Sequence, residues 1–267
     1  MKHLQLQPRL RLLADMVPAG AHLADIGTDH GYLPVWLMQQ GRITSAIAAD
    51  IGPEPLAHAR RTAAEYGAAL DLRLCDGLRG IAPHEADTLV MAGMGGETII
   101  QILTDSPWPR TSGCTLLLQP QTKVELLRGW LRENGYSCTE ERLVQDKGKL
   151  YVILSVTGGP SGEASDAERY GGFCLEHDPL YGLYLEQQLR RLYLRMDGLH
   201  RGGDESEAEP LAALADIRVP IYTMNARQVE NNCAVVSLTI GINNTEHLNR
   251  VVARLSKVKD VLKVTRS

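Results

Sequence analysis

The sequence predicts an α/β fold whose mostly parallel, seven-stranded sheet ends in a hairpin. Three observations predict it. Short apolar segments alternate with amphipathic helical segments from residue 22 to residue 134, which is the pattern of successive βα units. Two β-rich segments on either side of a turn sequence follow, which indicates the hairpin. The first strand runs into a glycine-containing turn and then a helix, as in doubly wound sheets that bind nucleotides.

The elements of this domain can be assigned in order along the chain. A leading helix over residues 4–17 precedes them. The strands are predicted over residues 22–27, 43–50, 70–75, 87–92, 114–119, 139–144 and 150–156. The helices between them are predicted over residues 32–40 and 54–66, from a glycine turn at 93–96 to about residue 103, and over 123–134.

The second half of the chain begins at a break in composition. Residues 158–162 read Gly-Gly-Pro-Ser-Gly, so the first domain is predicted to span residues 1–159. A long coiled-coil-like helix is predicted within residues 160–203, because five apolar residues recur at alternating spacings of four and three: Leu185, Leu189, Leu192, Met196 and Leu199. Residues 204–267 are predicted to form a small α+β unit, with short helices over 211–217 and 245–258 and strands over 221–229, 234–242 and 261–264.

Composition excludes several classes of function. A net charge of −4 gives no bulk attraction to nucleic acid, so any such contact must come from local basic patches. No segment approaches the roughly 20 apolar residues of a membrane span, and residues 1–21 lack the apolar core of a signal peptide, so we expect a cytoplasmic protein with no membrane partner. The five cysteines show no short-spaced pair, so we expect buried, reduced thiols and no metal site.

The turn after the first strand does not carry a dinucleotide fingerprint. Gly27 and Gly31 are four apart, and the glycine that would approach a pyrophosphate is missing. Carboxylates instead follow three successive strands: Asp25, Asp29, Asp50 and Asp76. They would repel a pyrophosphate but suit S-adenosylmethionine (SAM), which has a positive centre, two ribose hydroxyls and no phosphate. A single such carboxylate is more often a turn former, but four together favour the SAM interpretation.

Each carboxylate is given a role toward this cofactor. Asp50 is expected to accept hydrogen bonds from the ribose hydroxyls, and Asp25 to reach the ammonium group. Asp76 and Gly77 are expected to meet the adenine edge. The complete predicted cofactor-binding set is Asp25, Gly27, Thr28, Gly31, Asp50, Ile51, Asp76, Gly77, Gly93 and Met94.

A second glycine-rich stretch, Gly93-Met94-Gly95-Gly96, follows the fourth strand. Glycines there would let a flat base lie against the backbone and would leave N–H groups free at a helix start, although a mere tight turn is the alternative. Gln119 and Pro120 end the fifth strand on the same rim. Gly95, Gly96, Gln119 and Pro120 are therefore the predicted acceptor pocket.

These stretches together resemble the TrmK family of bacterial tRNA (adenine-N1)-methyltransferases over residues 1–157 and the helix to about residue 200. The matching pieces are Leu23-Ala24-Asp25-Ile26-Gly27-Thr28-Asp29-His30, Asp50, Asp76-Gly77-Leu78, Ala92-Gly93-Met94-Gly95-Gly96, Leu118-Gln119-Pro120 and Gly148-Lys149-Leu150-Tyr151. The resemblance implies a Rossmann-like domain that methylates N1 of adenine at tRNA position 22 with SAM. It also implies a following helical domain that helps to hold tRNA.

The chemistry assigns two candidate catalytic residues. Adenine N1 keeps its lone pair at neutral pH, so catalysis is mainly positioning and support of the developing positive charge. Asp29 is expected to accept from the exocyclic amine, and His30 is the alternative acid/base group, although a lone histidine in a turn is more often structural. The target base must be flipped toward the enzyme.

Contacts to tRNA phosphates are expected from basic side chains, of which Arg9, Arg190, Arg191 and Arg195 are the main candidates. Each of them alone is more often a solvated surface charge. Further basic candidates are Arg11, Arg60, Arg61, Lys123, Arg128 and Arg132.

The C-terminal residues depart from the TrmK family. The return helix that the family implies is not readable, and residues 211–267 resemble a partial ACT domain of RelA/SpoT type without its opening strand and ligand turn. An incomplete sheet leaves an edge to cover, so a homodimer through this unit, or a structural role for it, is favoured over small-molecule binding.

Three alternatives stay open at this point. The first is a SAM-dependent methyltransferase acting on a small molecule or a protein. The second is a non-catalytic regulatory protein that binds RNA and senses SAM or an amino acid. The third, an NAD(P)-dependent dehydrogenase, is disfavoured by the missing phosphate-approach glycine.

Overall fold

A computed structural model of the chain describes residues 3–201, 221–229, 233–240, 248–249 and 251–253, with the side chains of residues 3–191, 248–249 and 251–253. The chain divides into two compact units, Met1–Leu180 and Tyr181–Ser267. Each unit is described by itself.

The first unit is built on a seven-stranded sheet with the order β3-β2-β1-β4-β5-β7-β6. Neighbouring strands from β3 through β5 are parallel, whereas β7 is antiparallel to both β5 and β6. The strands are β1 Ala21–Ile26, β2 Ile43–Asp50, β3 Asp71–Leu74, β4 Thr88–Gly95, β5 Thr115–Thr122, β6 Tyr136–Asp146 and β7 Lys149–Gly158. The predicted mostly parallel sheet with a terminal hairpin is confirmed. Strand order reverses between β1 and β4, which is where doubly wound sheets bind ligands.

Helices cover both faces of this sheet, and their order follows the predicted alternation. They are α1 Pro8–Met16, α2 Tyr32–Gln39, α3 Pro53–Tyr66, α4 Gly96–Asp105, α5 Pro109–Ser112 and α6 Val124–Glu133, followed by a π-helical turn, Ala167–Gly171. The short α5 and the π-helical turn were not expected, because neither shows a helical period long enough to recognise.

The core lies around the central strands. Leu23, Val90 and Leu117, on β1, β4 and β5, have no exposed surface. Such strands are covered by helices on both faces, which explains why they read as continuous apolar runs rather than as alternating ones.

Strand β4 continues beyond the point where the sequence predicts a turn. Its last residues still pair with β5, Met94 beside Pro120 and Gly95 beside Thr122, with irregular register. Gly93 has φ +82°, a conformation that glycine adopts without a steric cost. The predicted glycine turn is therefore wrong: the segment is a kinked strand end, and α4 starts directly at Gly96.

The hairpin turn between β6 and β7 is also shorter than predicted. Asp146 pairs with Lys149, so only Lys147 and Gly148 form the loop. Both have positive φ, 48° and 75°, as a two-residue type I′ turn requires.

The first compact unit extends beyond the predicted boundary after residue 159. Residues 165–178 pack back against α6 and β6 through hydrogen bonds. Arg128 Nη1 donates to the Arg169 carbonyl at 2.8 Å, and the Phe173 N–H donates to Glu141 Oε2 at 2.7 Å. The Leu143 N–H of strand β6 donates to Asp178 Oδ2 at 2.9 Å.

The second unit contains α7 Tyr181–Arg201 and an antiparallel pair, β8 Ile221–Val229 and β9 Cys233–Ile240. Helical residues are also described within 248–253. Leu185 and Leu189 are half-buried, but the other three seam residues lie outside the described side chains, so the coiled-coil seam stays a prediction. The predicted elements at 211–217 and 261–264 lie outside the described residues. Within the described part of the chain, no helix is long and apolar enough to cross a membrane.

Candidate cofactor and acceptor site

A cavity of about 280 Å³ opens at the carboxyl ends of β1, β2, β3 and β4. Helix α4 forms its other wall through Thr98, Gln101 and Ile102. Six of the ten predicted cofactor residues line it: Gly27, Asp50, Ile51, Asp76, Gly77 and Met94. The α4 residues were missed, because nothing in the sequence shows which face of that helix turns toward the strand ends.

The turn after β1 depends on two glycines, Gly27 and Gly31. The N–H groups of Gly27 and Thr28 both donate to the Ala49 carbonyl, at 2.8 and 3.0 Å, which joins the ends of β1 and β2. Gly27 has φ +72°, and a Cβ there would collide with Met94 Cε. Gly31, also at positive φ, precedes the first residue of α2. The turn therefore needs glycine both for its conformation and for its close approach to β4.

Asp25 is a buried carboxylate beneath this turn. The Thr28 hydroxyl donates to Asp25 Oδ2 at 2.6 Å and is its one hydrogen-bond partner among the described residues. Burial raises the pKa of Asp25 to about 6; the Thr28 hydrogen bond opposes this rise, and the negative charge of Asp50 adds to it. A cation arriving beside this carboxylate would favour its ionised form.

Asp50 ends β2 with both carboxylate oxygens engaged by backbone. Oδ1 accepts from the Gly52 N–H at 3.0 Å, and Oδ2 accepts from the Asp29 N–H at 3.2 Å. Because a carboxylate has about four acceptor positions, Asp50 can still accept from a ligand while its orientation is fixed. Its position on the cavity wall agrees with the role predicted for it.

The predicted catalytic pair lies on the outer side of the same turn. Asp29 has φ +52° and its side chain is 68% exposed, with Oδ1 3.8 Å from His30 Nε2. The His30 ring stacks on the rings of Tyr32 and His58, with centroid distances of 5.1 and 4.6 Å. Sequence reasoning missed Tyr32 and His58; His58 gave no signal, since it lies 28 positions away on α3.

Asp29, His30 and His58 could each offer a ligand atom to a metal ion, and these atoms lie within 4.8 Å of one another. The two imidazole planes are only 21° apart, however. Histidine binds metals through in-plane lone pairs, and the lone pairs of two stacked rings do not converge on one ion. The geometry therefore favours an aromatic stack over a metal centre.

The β3 side of the cavity contains the predicted adenine contacts. Asp76 and Gly77 lie there. Arg79 forms ion pairs with two carboxylates, through Nη1 to Asp76 Oδ2 at 3.2 Å and through Nη2 to Asp105 Oδ2 at 2.9 Å. Ile51 is 71% exposed at the cavity wall, an unusual exposure for a large apolar side chain. A planar apolar ring system could pack on it.

The acceptor rim is organised around a fully buried amide, Gln119. Its Oε1 accepts from the Gly93 N–H at 3.2 Å and also from Arg9 Nη1, while its Nε2 donates to the Pro120 carbonyl at 2.9 Å. The Arg9 guanidinium lies over the Tyr151 ring, 5.4 Å from its centroid. Arg9, Gly93, Gln119 and Pro120 are thus brought together, but Arg9 is held by protein groups rather than projecting freely toward a phosphate.

The last two glycines of the segment differ in their surroundings. At Gly96, a Cβ would lie 2.6 Å from the Lys123 carbonyl oxygen, and the residue is buried. Its position indicates close backbone packing between α4 and the end of β5, rather than the predicted substrate contact. Gly95 is half-buried beside the Thr122 and Thr98 hydroxyls.

The predicted basic residues fall into three groups. Arg190 and Arg191 are exposed on α7 in the second unit, while the Arg195 side chain lies outside the described residues. The prediction for Arg128 is wrong, because it has no exposed surface and pairs with Glu141 at 2.7 Å. The remaining candidates, Arg11, Arg60, Arg61, Lys123 and Arg132, all lie at least partly at the surface.

Comparison with known proteins gives two matching families. Residues 6–154 match a family described as a methyltransferase domain, and residues 210–266 match an ACT domain. The tRNA (adenine(22)-N(1))-methyltransferase of Bacillus subtilis is 33% identical over 197 residues, which is 73% of this chain and 81% of that protein.

Solved structures agree with these matches. A putative tRNA (m1A22) methyltransferase of Streptococcus pneumoniae superposes with a TM-score of 0.68 at 29% identity, covering 79% of this chain and 96% of that one. A structure of that S. pneumoniae protein with S-adenosyl-L-methionine gives 0.65 at 28% identity, covering 78% and 98%. The B. subtilis M1A22 tRNA methyltransferase TrmK gives 0.64 at 28% identity, covering 81% and 95%.

Proposed function

Since this chain belongs to the family of tRNA (adenine(22)-N1)-methyltransferases, we propose that it methylates N1 of adenine 22 in tRNA, with SAM as the methyl donor. The enzyme class and the cofactor follow from that membership. The observation that carries the proposal is the placement of Asp50. It ends β2, the strand next to β1, and its orientation is fixed by hydrogen bonds from the Asp29 and Gly52 N–H groups in the two turns that flank the cavity. The second unit contains the ACT domain.

The residues around the cavity fit SAM on their own chemistry. Asp25 lies beneath the Gly27 turn rather than on the cavity lining and is buried without a cationic partner among the described residues, and its raised pKa is what such a carboxylate shows before a positive group arrives. Asp50 retains acceptor positions for two hydroxyls, and Ile51 offers an apolar surface. The cavity has no glycine-rich phosphate loop of the P-loop or dinucleotide kind.

These features assign one part of the cofactor to each residue. Asp50 would accept from the ribose hydroxyls, and Asp25 would hold the ammonium group directly or through water. Asp76, Gly77 and Ile51 would enclose the adenine. When bound, SAM supplies a methyl group on a positively charged sulfur, which is the electrophile of the reaction.

On the acceptor side, the chain supplies position rather than a base. Adenine N1 attacks with its own lone pair, so the protein must hold the flipped base at the end of β4 and exclude water. Gln119 fixes the Gly93 backbone against which the base would lie, and Arg9 fixes Gln119. Asp29 would accept from the exocyclic amine as positive charge develops on the ring, and His30 would support Asp29 within its aromatic stack.

A direct experiment tests this proposal. Purified protein is incubated with SAM and unmodified tRNA that carries adenine at position 22, and 1-methyladenosine is located by nuclease digestion and mass spectrometry. We expect the modification at position 22 and none in a matched tRNA with guanine there. Methylation of both tRNAs, or of neither, would refute the proposed acceptor.

Two finer points belong to the same proposal. The protein would act in the cytoplasm, where its tRNA substrate is found. The ACT domain would pair with that of a second copy, because the partial ACT sheet expected from the sequence would leave an unpaired edge. Light scattering of the full chain should then give the mass of a dimer, and a monomer mass at micromolar concentration would exclude this pairing.

A further inference from the structure

Two of the cysteines, 36 positions apart in the chain, meet in the first unit. Cys138 is on β6 and Cys174 follows the π-helical turn, and their Sγ atoms lie within 4.8 Å of one another. Both side chains are partly exposed. This pair cannot be predicted from the spacing of the cysteines, because its members come from segments that touch only in the folded protein.

A β-bulge makes the meeting possible. The register of β6 against β7 shifts between Cys138 and Glu140, so one residue is left over on β6. An extra residue inverts the alternation of side chains beyond it. Cys138 and Glu141, three positions apart, therefore share one face, and this is the face against which residues 172–174 lie.

The returning segment is held at this place by a buried ion pair. Glu141 Oε1 accepts from Arg128 Nε and Nη2, at 2.8 and 2.7 Å, and Glu141 Oε2 accepts from the Phe173 N–H. Gly172, at φ +103°, packs so closely that a Cβ would lie 2.8 Å from Glu141 Oε2. The neighbour of Cys174 in the chain is thus fixed opposite β6.

The same contacts argue against a metal site at this cluster. Both oxygens of Glu141 are engaged by nitrogen donors, and one of those donors is a buried guanidinium cation. A divalent cation beside that guanidinium would be repelled in a site of low dielectric constant. Two neighbouring thiols without a metal leave disulfide formation as their remaining chemistry.

We propose that Cys138 and Cys174 form a reversible disulfide that ties strand β6 to the segment leading into the second unit. The oxidant would be a peroxide. The Cys174 thiolate attacks one peroxide oxygen and forms a sulfenic acid, and the Cys138 sulfur then displaces the hydroxyl as water. In total, two thiols and one hydrogen peroxide give one disulfide and two waters, and reduction by a dithiol reverses the change.

The order of attack follows from the surroundings of the two thiols. Burial raises the pKa of both groups, and the nearby Glu141 carboxylate adds to the rise. A hydrogen bond from Cys138 lowers the pKa of Cys174 and partly offsets its rise. Oxidation should therefore be slow at neutral pH and should begin at Cys174.

The test uses the full-length protein treated with hydrogen peroxide under native conditions, then alkylated and digested without reduction. We expect mass spectrometry to find a linked peptide containing Cys138 and Cys174, about 2 Da lighter than the sum of its reduced parts and cleaved by dithiothreitol. Oxidation should also raise the melting temperature of the protein by several degrees, because the bond closes a long loop. This shift should disappear in Cys138→Ser and Cys174→Ser and persist in Cys114→Ala.

Several outcomes would overturn the proposal. One is native protein in which both cysteines remain fully alkylatable after peroxide treatment. Another is that Cys138 and Cys174 form disulfides with Cys75, Cys114 or Cys233 as often in the native protein as in protein unfolded in urea, since random pairing would then explain the linkage. A sulfinic acid on Cys174 with no linked peptide would also refute it. None of these readings depends on methyl transfer.

Discussion

The cofactor side and the acceptor side of the site are assembled in different ways. On the cofactor side, the contacts span short stretches of chain: Thr28 donates to Asp25 three positions away, Gly52 donates to Asp50 two positions away, and the Asp29 N–H reaches Asp50 across 21 positions. On the acceptor side, Arg9 reaches Gln119 across 110 positions. Cofactor binding thus depends on short turns, whereas the acceptor pocket depends on the packing of α1 against the sheet. Variants should therefore separate the two functions.

The largest effect should come from Asp29, where the two sides meet. Its backbone N–H donates to Asp50, whereas its side chain is exposed beside His30, where the acceptor can reach it. Asp29→Asn keeps the N–H and removes the charge that would support the cationic product. We expect a loss of about 100- to 1,000-fold in single-turnover methyl transfer, the range for a group acting at the reacting base. Asp15→Asn, a surface carboxylate on α1, is the control, and an unchanged rate in Asp29→Asn would remove its catalytic role.

The next largest effect should appear in Asp50→Asn, on the cofactor side alone. The substitution weakens charge-assisted hydrogen bonds to the ribose, each worth about 1.5–3 kcal/mol. We expect the dissociation constant of SAM to rise about 100-fold, measured by calorimetry. The KM for tRNA at saturating SAM should stay near that of the unmodified enzyme. A rise in the KM for tRNA with an unchanged dissociation constant of SAM would contradict the assignment, because it would show that Asp50 acts on the acceptor side.

A smaller effect should follow from Gln119→Leu, on the acceptor side. The change leaves the Gly93 N–H and the Arg9 guanidinium without their shared acceptor, at a cost of about 1–3 kcal/mol. We expect the rate of methyl transfer to fall about 10- to 100-fold with SAM affinity unchanged. Gln145→Leu, at an exposed position on β6, serves as the matched control. Equal losses in both variants would show a general effect on folding instead.

The smallest effect is a pH dependence that belongs to Asp25. Because the pKa of this carboxyl is raised to about 6, it is ionised above that pH and neutral below it. Only the ionised form attracts an ammonium group, so SAM affinity should be level near pH 7, where the ammonium is still mostly protonated, and should fall by up to about tenfold per pH unit below 6. Thr28→Val removes the hydrogen bond that lowers this pKa, so the fall should begin at a higher pH. An identical profile in both proteins would contradict this assignment.

How much the sequence could predict follows the same division. The ends of the first strands and the positions of Asp25, Gly27 and Asp50 at them could be predicted, because turn chemistry and a carboxylate at each strand end are local signals. The burial of Arg128 could not be predicted, because its partner Glu141 lies on another element. An arginine in a helix is expected to be a surface charge. The Tyr32–His30–His58 stack and the Cys138–Cys174 pair were hidden for the same reason. The glycine-rich sequence predicts a turn at the kinked end of β4, because glycine permits both conformations.

The division between the two sides is tested most directly by measuring the dissociation constant of SAM without tRNA. The three variants to titrate are Asp50→Asn, Asp29→Asn and Gln119→Leu. We predict a dissociation constant raised about 100-fold for the first variant and unchanged within about twofold for the other two. A rise in Asp29→Asn or Gln119→Leu that matches its loss of methyl transfer would contradict the division, because it would show that these side chains act by holding the cofactor.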